Sequence, residues 1–272
     1  MLFRSIGANP FTEQYVLAAL IQQRLGAAGL SSTAREGLGS AVIFNALRAG
    51  EIDVYVDYSG TIWTNQMRRA GIKPRAEVLA DMAEWLVREH RIKPLGSLGF
   101  ENAYALAMPR SRAETLGIRG LADLSGRAQN LTIAGDYEFF ARPEWERIRA
   151  TYGIAFREQR QMQAEFMYAA AARGEVDVVA AYTSEGLIAK LGLVVLDDPK
   201  QAVPPYDAVI LLSPRAAKDD ALLAALHPLI DAIDVESMRA ANLRASSGDV
   251  SPTEAATWLE GELRKKRAAI RR

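Results

Sequence analysis

The sequence predicts an α/β protein built as two lobes, and three observations carry that prediction. The first is a repeat: Gly50, Glu51, Asp53, Val54 and Tyr58 recur in the same spacing as Gly174, Glu175, Asp177, Val178 and Tyr182. Each copy follows an alanine-rich helical run and ends in a tyrosine followed by a hydroxyl residue. A helix closed by glycine, a short apolar strand and an aromatic at the strand's carboxyl end is how an α/β sheet offers a side chain to a ligand crevice. The second is an echo of Ile6-Gly7-Ala8-Asn9 in Ile133-Ala134-Gly135-Asp136, again strand, glycine and polar residue. The third is size, since 272 residues suit one large domain or two ordinary ones and the repeat favours two.

Charge is balanced at 33 basic against 33 acidic residues, which removes the overall positive field of a nucleic-acid binder. There is no cysteine, and with His90 and His227 the only histidines, neither a disulfide framework nor a nitrogen-ligated metal site is expected. The lack of cysteine suits an exported protein without fixing the compartment. No apolar run approaches the about 20 residues of a membrane span, and Met1 to Ser5 is not a secretion signal. The expectation is that a leader was removed or that the domain was cut from a longer chain.

Taken in order, residues 2–6 read as a first strand, followed by a helix over 12–25 that Gly26 and Gly29 end. A strand near 32–36 leads to Gly37-Leu38-Gly39-Ser40, with Ser40 as cap of a helix over 41–49 and Gly50 as its stop. The repeat supplies the next strand. A helix over 76–88 precedes a loop with Pro94, Gly96 and Gly99, and 102–108 is a strand broken by Pro109. Further on come a helical turn at 121–124, a strand at 131–134, a helix at 164–172 and a strand at 192–196. The apolar run 208–212 reads as the return to the first lobe, placing lobe 1 at 1–107 plus 211–272 and lobe 2 at 108–210. Helices at 222–233, 237–243 and 252–266 complete it, the last capped by Ser251 with Glu254 three positions on. The basic tail 264–272 reads as a solvated helix end.

No catalytic set stands out. Gly37-Leu38-Gly39 lacks the third glycine of a dinucleotide fingerprint, no serine sits in a nucleophile elbow, and pairs such as Asp53 with Asp57 are common at strand ends. Tyrosine is different. Tyr58 and Tyr182 hold the same place in the two copies, while Tyr104 and Tyr206 lie just before the two expected crossings between lobes. Four tyrosine faces without a dense acidic cluster suit a cation shielded by methyl groups, held by cation–π attraction worth about 0.5–2 kcal/mol per favourable ring.

At these residues the chain resembles the quaternary-amine-binding proteins of bacterial ABC importers for glycine betaine, choline, carnitine and related osmoprotectants. The matching pieces are Phe11-Thr12-Glu13-Gln14, Leu38-Gly39-Ser40, Tyr58-Ser59-Gly60-Thr61, Gly99-Phe100 with Tyr104-Ala105, Glu138-Phe139 with Arg142-Pro143, Tyr152-Gly153, Tyr182-Thr183 and Pro204-Pro205-Tyr206-Asp207, in family order across nearly the whole chain. The resemblance implies a two-lobed α/β fold of the periplasmic-binding-protein type, a type II Venus flytrap with a two-strand hinge. It implies an aromatic box of Tyr58, Tyr104, Tyr182 and Tyr206, no cofactor and no metal. It also implies that Thr61 and Arg142 hold a ligand carboxylate. The family's lysine after the first strand is Asn9 here, a departure that leaves choline or a larger amine open. The expected partners are a quaternary ammonium ligand and importer permease subunits, with no nucleic acid, outside the cytoplasm and either free, tethered to or fused with the permease. A ligand-sensing regulatory domain of the same fold and a small-molecule enzyme using the cleft are the alternatives.

Overall fold

In the computed structural model, residues 3–69, 71, 73–137, 139–246, 248 and 250–270 are described. Leu2 and Glu138, which the sequence reading uses, lie outside the described residues. In chain order the elements are β1 (Arg4–Gly7), α1 (Thr12–Ala27), β2 (Ser32–Arg35), α2 (Ser40–Ala49), β3 (Val54–Tyr58), α3 (Ser59–Thr61), α4 (Arg75–His90) and β4 (Lys93–Glu101). They continue with β5 (Tyr104–Pro109), α5 (Arg110–Leu116), β6 (Thr132–Gly135), α6 (Pro143–Tyr152), β7 (Glu158–Gln161), α7 (Ala164–Ala172), β8 (Val178–Tyr182), α8 (Leu187–Lys190) and β9 (Leu193–Val195). Last come β10 (Asp207–Leu212), α9 (Asp220–Leu226), α10 (Val235–Ser246) and α11 (Pro252–Ile270).

The chain divides into two compact units, Met1–Glu101 with Pro205–Arg272, and Asn102–Pro204. The first holds a five-stranded sheet in the order β2-β1-β3-β10-β4 and the second one in the order β7-β6-β8-β5-β9. In each, a parallel trio is followed by a strand that enters antiparallel: β10 against β3 in the first, β5 against β8 in the second. The sequence boundaries at 107/108 and 210/211 therefore fall inside β5 and β10. A strand belongs with its hydrogen-bond partners, so β5 goes wholly to the second unit through β8 and β9, and β10 wholly to the first through β3 and β4.

The repeat is the local reason for this topology. Gly50 closes α2 at φ 76°, and Gly174 turns at φ 74° after α7, a left-handed conformation that a β-carbon disfavours. The aspartate three residues on then ties three strands together. Asp53 is buried; its Oδ2 accepts from the Ser5 N–H at 2.9 Å and its Oδ1 from Arg215 Nη2 at 2.7 Å. Asp177 repeats this, with Oδ2 accepting from the Thr132 N–H at 2.9 Å and Oδ1 from Arg112 Nε at 3.0 Å. In both units the arginine lies just beyond the antiparallel strand, so one carboxylate joins β1, β3 and the segment after β10, or β6, β8 and the segment after β5. These aspartates are structural, as the weighing of Asp53 against an acid–base role expects.

Each sheet carries its own core. In the first unit Ile43, Phe44 and Leu47 of α2 pack with Met82 and Leu86 of α4 against Tyr55 and Val209. In the second, Trp145, Ile148 and Tyr152 of α6 pack against Leu106, Ile133 and Val178, while Met167, Ala170 and Ala171 of α7 pack on Ala107 and Val179 of the same strands. Several expectations need correcting. The segment with Pro94, Gly96 and Gly99 is the edge strand β4 rather than a loop, because it pairs with β10 alone, and an edge strand tolerates proline and irregular register. Ser40 is the first residue of α2 and not its cap; Gly39 holds the cap position, and the Ser40 hydroxyl accepts from Asn9 instead. Helix α1 runs through Gly26 to Ala27. The helix expected over 222–233 stops at Leu226, after which His227–Leu229 forms a 3-10 turn around Pro228. The cap of α11 is as expected, with the Ser251 N–H donating to Glu254 Oε2 at 2.8 Å and the Glu254 N–H to Ser251 Oγ at 3.2 Å.

The paired aspartates make a stability prediction. Asp53 is 1% exposed and Asp177 20% exposed, so Asp53→Ala should cost about 1–3 kcal/mol in urea denaturation followed by circular dichroism, and Asp177→Ala less. Equal losses at the two positions, or none at Asp53, would contradict the assignment.

Candidate functional site

Strand β3 ends at Tyr58, and the neighbouring β10 begins just after Tyr206, so antiparallel pairing of Tyr58 with Ala208 brings both tyrosines to one end of the first unit's sheet. Ser59 secures that end: its hydroxyl donates to the Pro205 carbonyl at 2.8 Å and accepts from the Asp207 N–H at 2.9 Å. The Tyr206 ring lies directly on Gly60, where a β-carbon would come within 2.6 Å of it. That approach requires glycine in the Tyr58-Ser59-Gly60-Thr61 turn. Thr61, half-buried, closes α3 beside them. Asp207 is fully buried and is held by the Arg75 guanidinium, whose Nε lies 2.9 Å from its Oδ2.

Tyr58 is anchored through its hydroxyl. It donates to Glu13 Oε1 at 2.5 Å and accepts from Gln14 Nε2 at 3.2 Å, while Asn242 Nδ2 donates to Glu13 Oε2 at 2.7 Å. Glu13 is 3% exposed, so the ring is held by a buried carboxylate, and donation to an anion leaves the phenol ring richer in electrons. Phe11 packs on the other side with ring centroids 6.3 Å apart.

Asn9, at the family's lysine position and expected among the ligand-binding residues, is engaged within its own unit. Its Nδ2 donates to the Leu38 carbonyl at 3.0 Å and to Ser40 Oγ at 3.1 Å, and its Oδ1 accepts from the Tyr55 phenol. The amide is 5% exposed and is spent on joining β1, the turn before α2 and β3. Beneath this network lies Asp57, buried, with Oδ1 accepting the Tyr58 N–H at 2.8 Å and Oδ2 without a hydrogen bond. Burial pushes the Asp57 carboxyl up to about 7, against the opposing pull of the Tyr58 N–H.

In the second unit Tyr104 opens β5 and Tyr182 ends β8, and the two are directly paired across the strands. Their ring centroids are 4.9 Å apart. Tyr182 Oη lies 3.1 Å from Tyr104 Oη and 3.2 Å from Asp136 Oδ2. Tyr182 has one proton and the carboxylate only accepts, so the favoured chain runs from the Tyr104 hydroxyl to Tyr182 and from Tyr182 to Asp136. Burial raises both phenols, so both are neutral at physiological pH and present ring faces rather than phenolates. Phe139 backs Tyr104 at 5.6 Å between centroids. Arg142, the residue before α6, places its guanidinium carbon 4.8 Å from the Tyr104 centroid, with Nε 3.3 Å from Glu144 Oε2.

The structure thus gathers Tyr58, Tyr206, Thr61 and Asn9 in one unit and Tyr104, Tyr182 and Arg142 in the other. Sequence reasoning missed the supporting roles of Glu13 and Asp136. Glu13 stands inside the Phe11-Thr12-Glu13-Gln14 piece, and Asp136 is the polar residue of the strand-glycine echo, so both had a signal. Among the described residues no group of three His, Asp or Glu side chains is placed to hold a metal ion, and no helix is long and apolar enough to cross a membrane.

Two α/β units of matching strand order, entered by two chain crossings and each presenting tyrosines at the carboxyl end of its central strand, define a solute-binding protein of the periplasmic type. The chain belongs to the family of substrate-binding domains of ABC-type glycine betaine transport systems, which it matches over residues 5–260. It is 32% identical to a glycine-betaine-binding protein of Pseudomonas aeruginosa, over 92% of this chain and 85% of that one. It is 27% identical to the ergothioneine transport permease/ergothioneine binding protein of Helicobacter pylori, over 91% of this chain but 45% of that relative, so it spans under half of that protein's length. A crystal structure described as a glycine betaine/carnitine/choline ABC transporter superposes with a TM-score of 0.89 at 25% identity, covering 97% of this chain and 98% of that one.

Two predictions follow from the buried carboxyls. Tyr58→Phe removes a donor from Glu13 and should destabilise the protein by about 1–3 kcal/mol in urea denaturation; a neutral result would show that Glu13 does not depend on the phenol. For Asp57 the folded state holds its proton up to about pH 7, whereas the unfolded carboxyl releases it near 3.8. The folded state then binds more protons across that window, so stability should fall as pH rises from about 4 to 7. Asp57→Asn should flatten the decline, and melts of both proteins across this range test it.

Proposed function

We propose that this protein captures a quaternary ammonium compound such as choline, glycine betaine or carnitine and delivers it, chemically unchanged, to the permease subunits of an ABC importer outside the cytoplasm. The observation that carries the reading is the recurrence of one arrangement in both units. Tyr58 and Tyr206 stand at the shared end of β3 and β10, and Tyr182 and Tyr104 at the shared end of β8 and β5. A methylated ammonium donates no hydrogen bonds, so neutral aromatic faces and burial are the means of holding it. Tyr58, Tyr104, Tyr182 and Tyr206 form the proposed box. Thr61 and Arg142 meet a ligand carboxylate where there is one, and Asn9 shapes the turn behind Tyr58 rather than touching the ligand. Family membership supports the transport role, and a free protein, a tethered one or one fused to its permease would use the same site.

Isothermal titration with choline, glycine betaine, carnitine and ergothioneine, combined with product analysis, tests this. The expected result is saturable one-to-one binding of at least one of them without turnover. Alanine at Tyr104, Tyr182 or Tyr206 should weaken it by about 0.5–2 kcal/mol or more, with phenylalanine better tolerated because it keeps the π face. Absence of binding to all four compounds, or appearance of a product, would sink the reading.

A further inference from the structure

The Tyr104 ring already holds a cation, and it is the protein's own. We propose that Arg142 is a specificity determinant that competes with the ligand's ammonium group for the face of Tyr104 and gives that face up to ligands bearing a carboxylate. The inference rests on the reading of these tyrosines as a quaternary-ammonium box.

The geometry supplies each step. The Arg142 guanidinium carbon stands 4.8 Å from the Tyr104 centroid, within the range of a cation–π contact. The rest of the ring's aromatic surroundings are protein too: Tyr182 at 4.9 Å and Phe139 at 5.6 Å between centroids. Two cations do not share one ring face, because the attraction is to a single negative region while the two charges repel. A methylated ammonium therefore reaches that face only when the guanidinium leaves it. The side chain is 32% exposed, so solvent and a ligand can reach it, and its Nε lies 3.3 Å from Glu144 Oε2. A carboxylate on the ligand offers the guanidinium two parallel acceptors, a better partner than a neutral ring. Glycine betaine thus draws the competitor off the ring with one end while its other end occupies the vacated face. Choline has a hydroxyl in place of the carboxylate and must displace Arg142 without that compensation. The same side chain selects twice, by what it blocks and by what it binds.

Calorimetry on the 272-residue chain at fixed salt tests this with tetramethylammonium, which is head group alone, with choline and with glycine betaine, for wild type, Arg142→Ala and Arg142→Gln. Removing the guanidinium should tighten tetramethylammonium about twofold to thirtyfold, the value of one cation–π contact. Choline should tighten in the same direction, and glycine betaine should weaken tenfold or more. Folded variants that bind tetramethylammonium no better than wild type overturn the proposal while leaving the box reading intact, since wild-type binding stands by itself. Wild type that binds none of the three compounds removes both. A measurement on the wild type covers the case in which the variants do not fold. The Arg142 δ-protons should show an upfield ring-current shift in the ligand-free protein that relaxes on adding glycine betaine, and a shift absent from the start, or unchanged by saturating betaine, overturns the proposal.

Discussion

A single carboxylate at the amino end of the central strand, buried at Asp53 and half-buried at Asp177, holds each half of this protein in register. Asp53 and Asp177 each accept an N–H from the start of the neighbouring parallel strand and a hydrogen bond from an arginine beyond the antiparallel strand on the other side. The cost of withdrawing such a carboxylate from water is offset by several hydrogen bonds that converge on it, three of them from the Arg215 guanidinium in the case of Asp53. Side chains in a sheet alternate between faces, so a slip of one residue would turn every tyrosine at the far end away from its place. The tyrosine-bearing end of each sheet depends on the carboxylate pin at the opposite end.

At the tyrosine-bearing end the two units reach a similar result by different means. In the first, Tyr58 is fixed by Glu13, Gln14 and a packed Phe11, and Tyr206 by its contact with Gly60. In the second, Tyr104 and Tyr182 fix one another across a strand pair, with Asp136 as the terminal acceptor. In both, a carboxylate accepts a hydrogen bond from a phenol. The rings are thereby held in place by the protein's own groups, and donation to a carboxylate strengthens the negative faces that a cation prefers. In the second unit the Arg142 guanidinium carbon lies 4.8 Å from the centroid of the Tyr104 ring.

Much of this architecture could be read from residues in order. The glycine-closed helix, the short apolar strand and the terminal tyrosine are local features, governed by backbone sterics and by spacings of two and 3.6 residues, and they stand in the structure where the repeat puts them. The tyrosines at 58, 104, 182 and 206 all fall at sheet ends, because strand termini follow from that same local pattern.

What the sequence by itself determined is therefore the α/β class, the duplicated plan and the residue types offered at the strand ends. Only the tertiary structure decided which strands pair. The edge strand β4, full of proline and glycine, and β7, whose Glu158-Gln159-Arg160-Gln161 is exposed throughout, have no apolar alternation to announce them and exist because a neighbouring strand supplies their hydrogen bonds. Pairing also placed β5 and β10 in units other than their flanking segments suggest, moving the crossings to 101/102 and 204/205. The fate of individual polar groups was likewise settled in three dimensions. Asn9 turned inward because Tyr55, Leu38 and Ser40 saturate its amide, and Arg142 lay on Tyr104 because a ring distant in sequence was near in space. Contacts between residues far apart in the chain leave no periodicity behind, which is the physical reason that they are absent from any reading of the sequence alone.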